Sequence, residues 1–235
     1  MIYAASDLHG CPPEQFQQLL RSAGFTENDF LYVLGDVIDR GTYGAELLLW
    51  LSGQANMQLI LGNHEAMLLS CGFLFEEVTE ESVDALDEGR IKLLNNWLWN
   101  GGEPTLKGLQ RLKRQDPELL EGVLDYLRDA PLYDCVEAGG RRFILVHAGL
   151  DNFAVDKPLD AYLPDELLWA RPSLDTQYYA DATVIFGHTP TVLFGAQYRG
   201  KAVKTDSWVC IDTGVADGNS PMLLRLDDMK EFYGL

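Results

Sequence analysis

Short apolar runs alternate with polar clusters along the first part of the chain, and a stretch of helical spacing follows each cluster. Ile2 to Ser6 leads into Asp7-Leu8-His9-Gly10. Pro12 and Pro13 then suit the first turn of a helix that carries Phe16, Leu19 and Leu20 on one face and stops at Gly24. Phe30 to Leu34 leads into Gly35-Asp36-Val37-Ile38-Asp39-Arg40-Gly41, and a helix from Gly44 to Leu51 ends at Gly53. Gln58 to Leu61 leads into Gly62-Asn63-His64-Glu65 and a further helix. This alternation predicts an α/β layered fold around a buried sheet. In such sheets ligands sit beyond the carboxyl ends of the strands, where these polar clusters lie.

From about residue 76 to about residue 129 the pattern becomes helical and amphipathic. Val83, Leu86, Ile91, Leu94, Trp97 and Leu98 form one series, Leu106, Leu109 and Leu112 a second, and Leu119, Leu120, Val123, Leu124 and Leu127 a third. Breaks fall at Asn100-Gly101-Gly102 and Asp116-Pro117. We read this as a helical insertion packed against the sheet part of one domain spanning residues 1–235. Strand signals then return. Arg142 to Val146 ends at His147-Ala148-Gly149, Thr183 to Phe186 at Gly187-His188-Thr189-Pro190, and Val209 to Ile211 at Asp212-Thr213-Gly214. Met222 to Leu226 reads as a late or edge strand.

Composition narrows the classes. Hydrophobic residues make up 47% and charged residues 23%, which places the chain among globular proteins. With 18 basic and 36 acidic residues the formal charge is −18, which repels nucleic-acid backbones and anionic lipid. Solubility accounts for most of that excess. No apolar run reaches the ~18 residues of a membrane span, and the N-terminus lacks a basic-then-apolar leader. Cys11, Cys71, Cys135 and Cys210 are far apart without a C-x-x-C pair, so we expect reduced thiols in a cytoplasm. The sequence carries no reading of oligomeric state.

All four histidines, His9, His64, His147 and His188, sit just past an apolar run. Singly, each would be a structural or surface group. Together with Asp7, Asp36 and Asn63 they form a ligand set suited to divalent metal ions. A carboxylate able to bridge, with ligands from several strands, suits two ions ~3.5–4 Å apart. Such a pair neutralises phosphoryl oxygens and makes hydroxide available near neutral pH. Arginines can then clamp the phosphoryl group, and a positioned acid can protonate the departing oxygen.

In this order, Asp7-Leu8-His9-Gly10, Gly35 to Gly41, Gly62 to Glu65, Val146 to Gly149 and Gly187 to Pro190 resemble the motifs of the phosphoprotein phosphatase branch of calcineurin-like metallophosphoesterases. Within that branch the chain is most similar to bacterial and bacteriophage-lambda-type serine/threonine phosphatases, and the likeness runs from Asp7 to Gly214. The resemblance implies a β-sandwich flanked by helices in four α/β/β/α layers. It implies two divalent metal ions: manganese by family, with iron, zinc or magnesium compatible with the ligands. Asp7 and His9 would hold the first ion, Asp36 would bridge, and Asn63, His147 and His188 would hold the second. His64 would be the general acid, oriented by Asp39, and Arg40 and Arg171 would bind the phosphate. Asp212-Thr213-Gly214 would support the site from behind. Glu65 reads as a favourable charge in a first helical turn. Asn100-Gly101-Gly102, with Trp97 near it, reads either as a cleft wall or as a plain helix stop.

The leading expectation is therefore hydrolysis of phosphoserine or phosphothreonine on proteins, or of small phosphoesters, with no nucleic-acid or membrane partner. A dinucleoside polyphosphate or nucleotide phosphohydrolase is the alternative, and a metal-binding interaction protein without catalysis is a third. Leu61, where many relatives carry arginine, is shared with diadenosine tetraphosphate hydrolases, whereas Glu65 and Asp39 side with the phosphatases.

Overall fold

The structure is a computed structural model describing residues 1–77, 79–80 and 86–234. Val83 of the inserted helical pattern lies outside the described residues. The apolar runs become β1 (Ile2–Ala5), β2 (Phe30–Val33) and β3 (Met57–Leu59), with β2 parallel to both of the others. Later strands are β4 (Tyr133–Ala138), β5 (Arg141–Val146), β6 (Thr183–Phe186), β7 (Val203–Lys204), β8 (Trp208–Cys210), β9 (Met222–Arg225) and β10 (Lys230–Tyr233). They build two five-stranded sheets, ordered β10-β9-β1-β2-β3 and β4-β5-β6-β8-β7. The Met222 strand is therefore not an edge. It lies antiparallel between β1 and β10, and the edge is β10.

Alternation along each strand decides the layers. Ala4, Tyr32, Leu34 and Ile60 face Phe143, Leu145, Ile185, Val209 and Ile211 between the sheets. The opposite face of the first sheet carries Tyr3, Ala5, Leu31, Val33 and Leu59. That face packs under α1 (Pro13–Ser22) and α2 (Gly44–Ser52), with Phe16, Leu19, Leu47 and Leu48 in the contact. A one-residue slip would exchange these two sets of side chains, so the register is strongly specified. The outer face of the second sheet buries Ile144, Val146, Val184, Phe186 and Trp208 against Leu150, Tyr162, Leu167 and Tyr178. Its cover is thin: the short α7 (Pro164–Leu168) and irregular segments.

The expected breaks at Asn100-Gly101-Gly102 and Asp116-Pro117 separate α4 (Glu88–Trp99), α5 (Glu103–Gln115) and α6 (Pro117–Arg128). Asp116 caps α6 by accepting the Leu119 N–H at 3.0 Å. These helices lie over α2 and α3 (Asn63–Ser70). Leu109, Leu120, Val123, Leu124 and Leu127 complete the core beneath them.

Candidate active site

The turns that leave β1, β2, β3, β5 and β6 converge at the carboxyl edges of the two sheets. The first two are knitted by backbone bonds from Asp7 to Gly35 (3.1 Å), His9 to Asp36 (2.9 Å) and Gly10 to Val37 (2.8 Å). Many of the side chains in question hang from left-handed backbone: Asp7 (φ 52°), His9 (41°), Asp36 (55°), Asp39 (69°), Arg40 (65°) and His188 (62°). Such conformations cost on the order of 1–3 kcal/mol each and persist only where the surroundings over-determine them. Close approach is part of that. At Gly35 (φ 82°) a Cβ would stand 2.5 Å from Gly62 Cα and 2.7 Å from His147 Nδ1.

Glu65 pins the β2 turn. Its Oε2 accepts the N–H groups of Asp36 (2.8 Å) and Gly62 (3.2 Å), and its Oε1 those of Val37 (2.9 Å) and Ile38 (3.4 Å). Burial pushes this carboxyl up to about 7, against the pull of the Asp36 N–H. In the sequence Glu65 shows only as a favourable first-turn charge. Its bonds to the preceding loop are long-range and leave no local pattern.

Two donor groups share Asp36. On its Oδ2 side stand His9 Nε2 at 3.7 Å and His64 Nε2 at 3.8 Å, and His9 Nε2 is 3.9 Å from Asp7 Oδ1. On its Oδ1 side stands His147 Nε2 at 3.4 Å. Asn63 Oδ1 lies 2.8 Å from His147 Nε2 and 2.9 Å from His188 Nδ1. His147 Nδ1 donates to the Leu34 carbonyl at 2.7 Å, and His9 Nδ1 to that of Ile38 at 3.1 Å. The other nitrogen of each ring therefore turns its lone pair inward.

Electrostatics repeat the point. Burial, Asp212 and Asp36 hold the Asp7 carboxyl well above its ordinary value. Burial would raise Asp36 too, but His147, His64 and His9 outweigh it and hold that carboxyl low. Burial drops His9 to about 3, drops His188 to about 2 with the help of His147, and lowers His147. Neutral imidazoles thus aim acceptors at other acceptors. Asn63 Oδ1 and the His147 Nε2 lone pair meet at 2.8 Å, and buried His188 Nε2 has no hydrogen-bond partner among the described residues. Divalent cations fit this arrangement. Asp7, His9 and Asp36 would hold one, and Asp36, Asn63, His147 and His188 a second. Mixed imidazole, carboxylate and amide ligands accept manganese, iron, zinc or magnesium.

Beside Asp36, His64 Nδ1 donates to Asp39 Oδ2 at 2.7 Å. Burial pulls the His64 ring down, but Asp36 and the Asp39 bond outweigh it and lift the ring above its ordinary value. Arg40 donates from Nη1 to the His9 Nε2 lone pair at 3.0 Å, and its Nη2 stands 3.2 Å from His64 Nε2. Arg171 stands at the rim, with Nη1 3.5 Å from Thr189 Oγ1. Trp169 meets the His188 ring edge-on at 5.7 Å between centroids. Asp212 is buried behind Asp7 and accepts the Gly214 N–H at 2.8 Å, as a supporting residue would.

The structure thus brings Asp7, His9, Asp36, Asp39, Arg40, Asn63, His64, His147 and His188 together, with Arg171 beside them. Trp97 is fully buried, and its indole N–H donates to Asp39 Oδ2 at 2.8 Å. Asn100-Gly101-Gly102 stops a helix and hands the Gly101 carbonyl to the Arg40 N–H at 2.9 Å. A buried tryptophan must place its N–H, and that was the available signal.

Buried metal donors beside an imidazole–carboxylate pair and an arginine are the equipment of a metal-dependent phosphoesterase. The chain belongs to the calcineurin-like phosphoesterase family, whose sequence pattern matches residues 1–215. It is 27% identical over 271 aligned residues to the symmetrical bis(5'-nucleosyl)-tetraphosphatase of Actinobacillus pleuropneumoniae serotype 3 (strain JL03), covering 98% of this chain and 97% of that protein. It is 37% identical over 101 residues to the protein of the same name from Chromobacterium violaceum, a stretch that spans 41% of this chain and 36% of that relative. A serine/threonine phosphatase from Saccharomyces cerevisiae shares the fold, with a TM-score of 0.59 at 15% identity over 100% of this chain and 80% of that one. Among the described residues no helix is long and apolar enough to cross a membrane.

Proposed function

We propose that this chain hydrolyses dinucleoside polyphosphates, with diadenosine tetraphosphate cut symmetrically to two ADP as the model reaction. The observation that carries the reading is a pair of clefts reaching the donor cluster on its two flanks. One, about 380 Å³, is lined by Gln15, His9, Arg40, Tyr43 and Val215. The other, about 140 Å³, is lined by Asn63, Asn96, Asp165 and Trp169. Each presents a part-exposed aromatic ring, Tyr43 at 43% and Trp169 at 42%. A substrate with a base at each end of a phosphate chain would lay the phosphates over the donors and a base against each ring. The names of the bacterial relatives support the same substrate class over the phosphoprotein expectation.

In this reading Arg40 and Arg171 hold phosphoryl oxygens. Asp39 fixes His64 through Nδ1, leaving Nε2 to hand a proton to the departing oxygen. Two divalent ions, manganese by family resemblance, would supply Lewis acidity and hydroxide near neutral pH when bound.

Phosphoserine or phosphothreonine hydrolysis draws on one specific observation, the well-built Asp39–His64 pair. An alkoxide needs a proton to depart far more than a nucleoside diphosphate does. Initial rates with manganese on diadenosine tetraphosphate, a phosphothreonine peptide and 4-nitrophenyl phosphate separate the readings. We expect kcat/KM on the dinucleotide to exceed that on the peptide by at least about tenfold. The reverse order would transfer the assignment to phosphoproteins. Loaded protein that turns over none of them would leave a metal-binding interaction protein.

A further inference from the structure

We infer that the inserted helices α4 and α5 belong to the catalytic apparatus, with Trp97 as the residue that positions the Asp39–His64 pair. The inference rests on the reading of His64 as proton donor.

Asp39 and Arg40 are consecutive non-glycine residues with positive φ, 69° and 65°. Neither lies in a helix or strand, so something outside their own segment must hold so strained a turn. Three of the bonds that hold it come from one stretch of the insertion. Trp97 Nε1–H donates to Asp39 Oδ2 at 2.8 Å, the Asp39 N–H donates to Thr105 Oγ1 at 2.9 Å, and the Arg40 N–H donates to the Gly101 carbonyl at 2.9 Å.

The joint between α4 and α5 is shaped for this. A Cβ at Gly101 (φ 99°) would stand 2.8 Å from Arg40 Cγ, and one at Gly102 would stand 2.5 Å from the Trp97 ring. Glycine at both positions therefore lets the joint close over the turn.

Asp39 Oδ2 receives both the Trp97 and the His64 N–H, while the buried Oδ1 has no hydrogen-bond partner among the described residues. Two donors thus set the plane of this carboxylate. Without the indole it can pivot about the bond to His64, and Nε2 then loses its aim at the reacting oxygen. A core tryptophan would ordinarily be read as packing. Here the indole nitrogen, as well as the ring, is used.

The test combines spectroscopy and kinetics on the whole chain. Trp97→Phe keeps an aromatic ring at the position and removes the N–H. The His64 Nδ1–H resonance, assigned by its loss in His64→Asn, should exchange with water at least about tenfold faster than in the parent, because the Asp39 carboxylate that accepts it is held by one hydrogen bond fewer. With manganese, W97F should lower kcat about tenfold on phenyl phosphate, whose leaving group needs a proton. It should cost about twofold on 4-nitrophenyl phosphate, with KM on both within about twofold of the parent. In the H64N background it should cost nothing further on phenyl phosphate.

Equal losses on the two esters, additivity with H64N, or an unchanged His64 resonance would overturn the positioning role. If H64N itself shows no dependence on the leaving group, the proton-donor reading fails instead, and the two failures are distinguishable. Should W97F not fold, Thr105→Val carries the same comparison at the other bond to Asp39. It is expected to show the same pattern at smaller amplitude, and a flat leaving-group response in T105V would likewise overturn the proposal.

Discussion

Glu65 Oε2 accepts the backbone N–H of Asp36 at 2.8 Å, so a side chain in the first turn of one helix fixes where the shared carboxylate of the donor cluster hangs. Glu65→Gln would turn an amide N–H toward backbone donors that now point at an acceptor. Each buried donor left without a partner costs about 1–3 kcal/mol, so we expect a loss of at least that order in urea unfolding. Manganese affinity measured by calorimetry should fall with it. Parent-like stability and affinity in E65Q would reduce Glu65 to a helix-terminus charge.

Metal loading should stabilise the fold. At a manganese concentration about a hundredfold above Kd, linkage gives about 2.7 kcal/mol. EDTA-treated protein should therefore melt several degrees lower than protein returned to manganese, and EDTA should abolish turnover of 4-nitrophenyl phosphate. Asp36→Asn, which weakens the carboxylate common to both donor groups, should lose most of that manganese-dependent rise in Tm.

His188 supplies a pH prediction for the metal-free protein. Burial and His147 hold its ring at about 2, below the ordinary value of 6.5. Above pH 6.5 the ring is neutral in both folded and unfolded chains, and the stability tied to this group is fully present. Below it the unfolded chain takes up a proton that the folded chain refuses, so that stability is lost progressively as pH falls toward the folded value. Between pH 6.5 and 5.5 the difference in unfolding free energy between parent and His188→Gln should move against the parent by about 1 kcal/mol. A pH-independent difference would show that the ring titrates freely.

Tyr43→Ala and Trp169→Ala test the flanking clefts. Stacking a base on an aromatic ring is worth about 1–3 kcal/mol, so each should raise KM for diadenosine tetraphosphate about fivefold to a hundredfold. The effect on 4-nitrophenyl phosphate, which has no base to seat, should be several times smaller. Equal effects on both substrates would remove the clefts from substrate recognition.

The parallel strands β1, β2, β3, β5, β6 and β8 were legible because strands buried on both faces read as apolar runs, and the histidines were legible because each follows such a run. The strands β4, β7 and β10 were not. They lie at sheet edges, and exposed or half-exposed residues such as Glu137, Lys204 and Lys230 break any apolar run or alternation. Donor residues could be named from motifs because their spacing to the strand ends is local. The work of Glu65 and Trp97 could not, since it consists of bonds to Asp36 and Asp39 that only the tertiary fold creates. Substrate class was the least legible feature. It depends on the walls around the cluster, where Tyr43 and Trp169 stand, rather than on the donors themselves.

The donors are divided between the sheets. Asp7, His9, Asp36 and Asn63 follow strands of one sheet, and His147 and His188 follow strands of the other. During synthesis, a chain that has emerged as far as Asp129 would grip a cation only with residues from its first half. The second donor group, in contrast, is complete only when His147 and His188 join Asp36 and Asn63, so uptake of a second cation would report that the two sheets have docked.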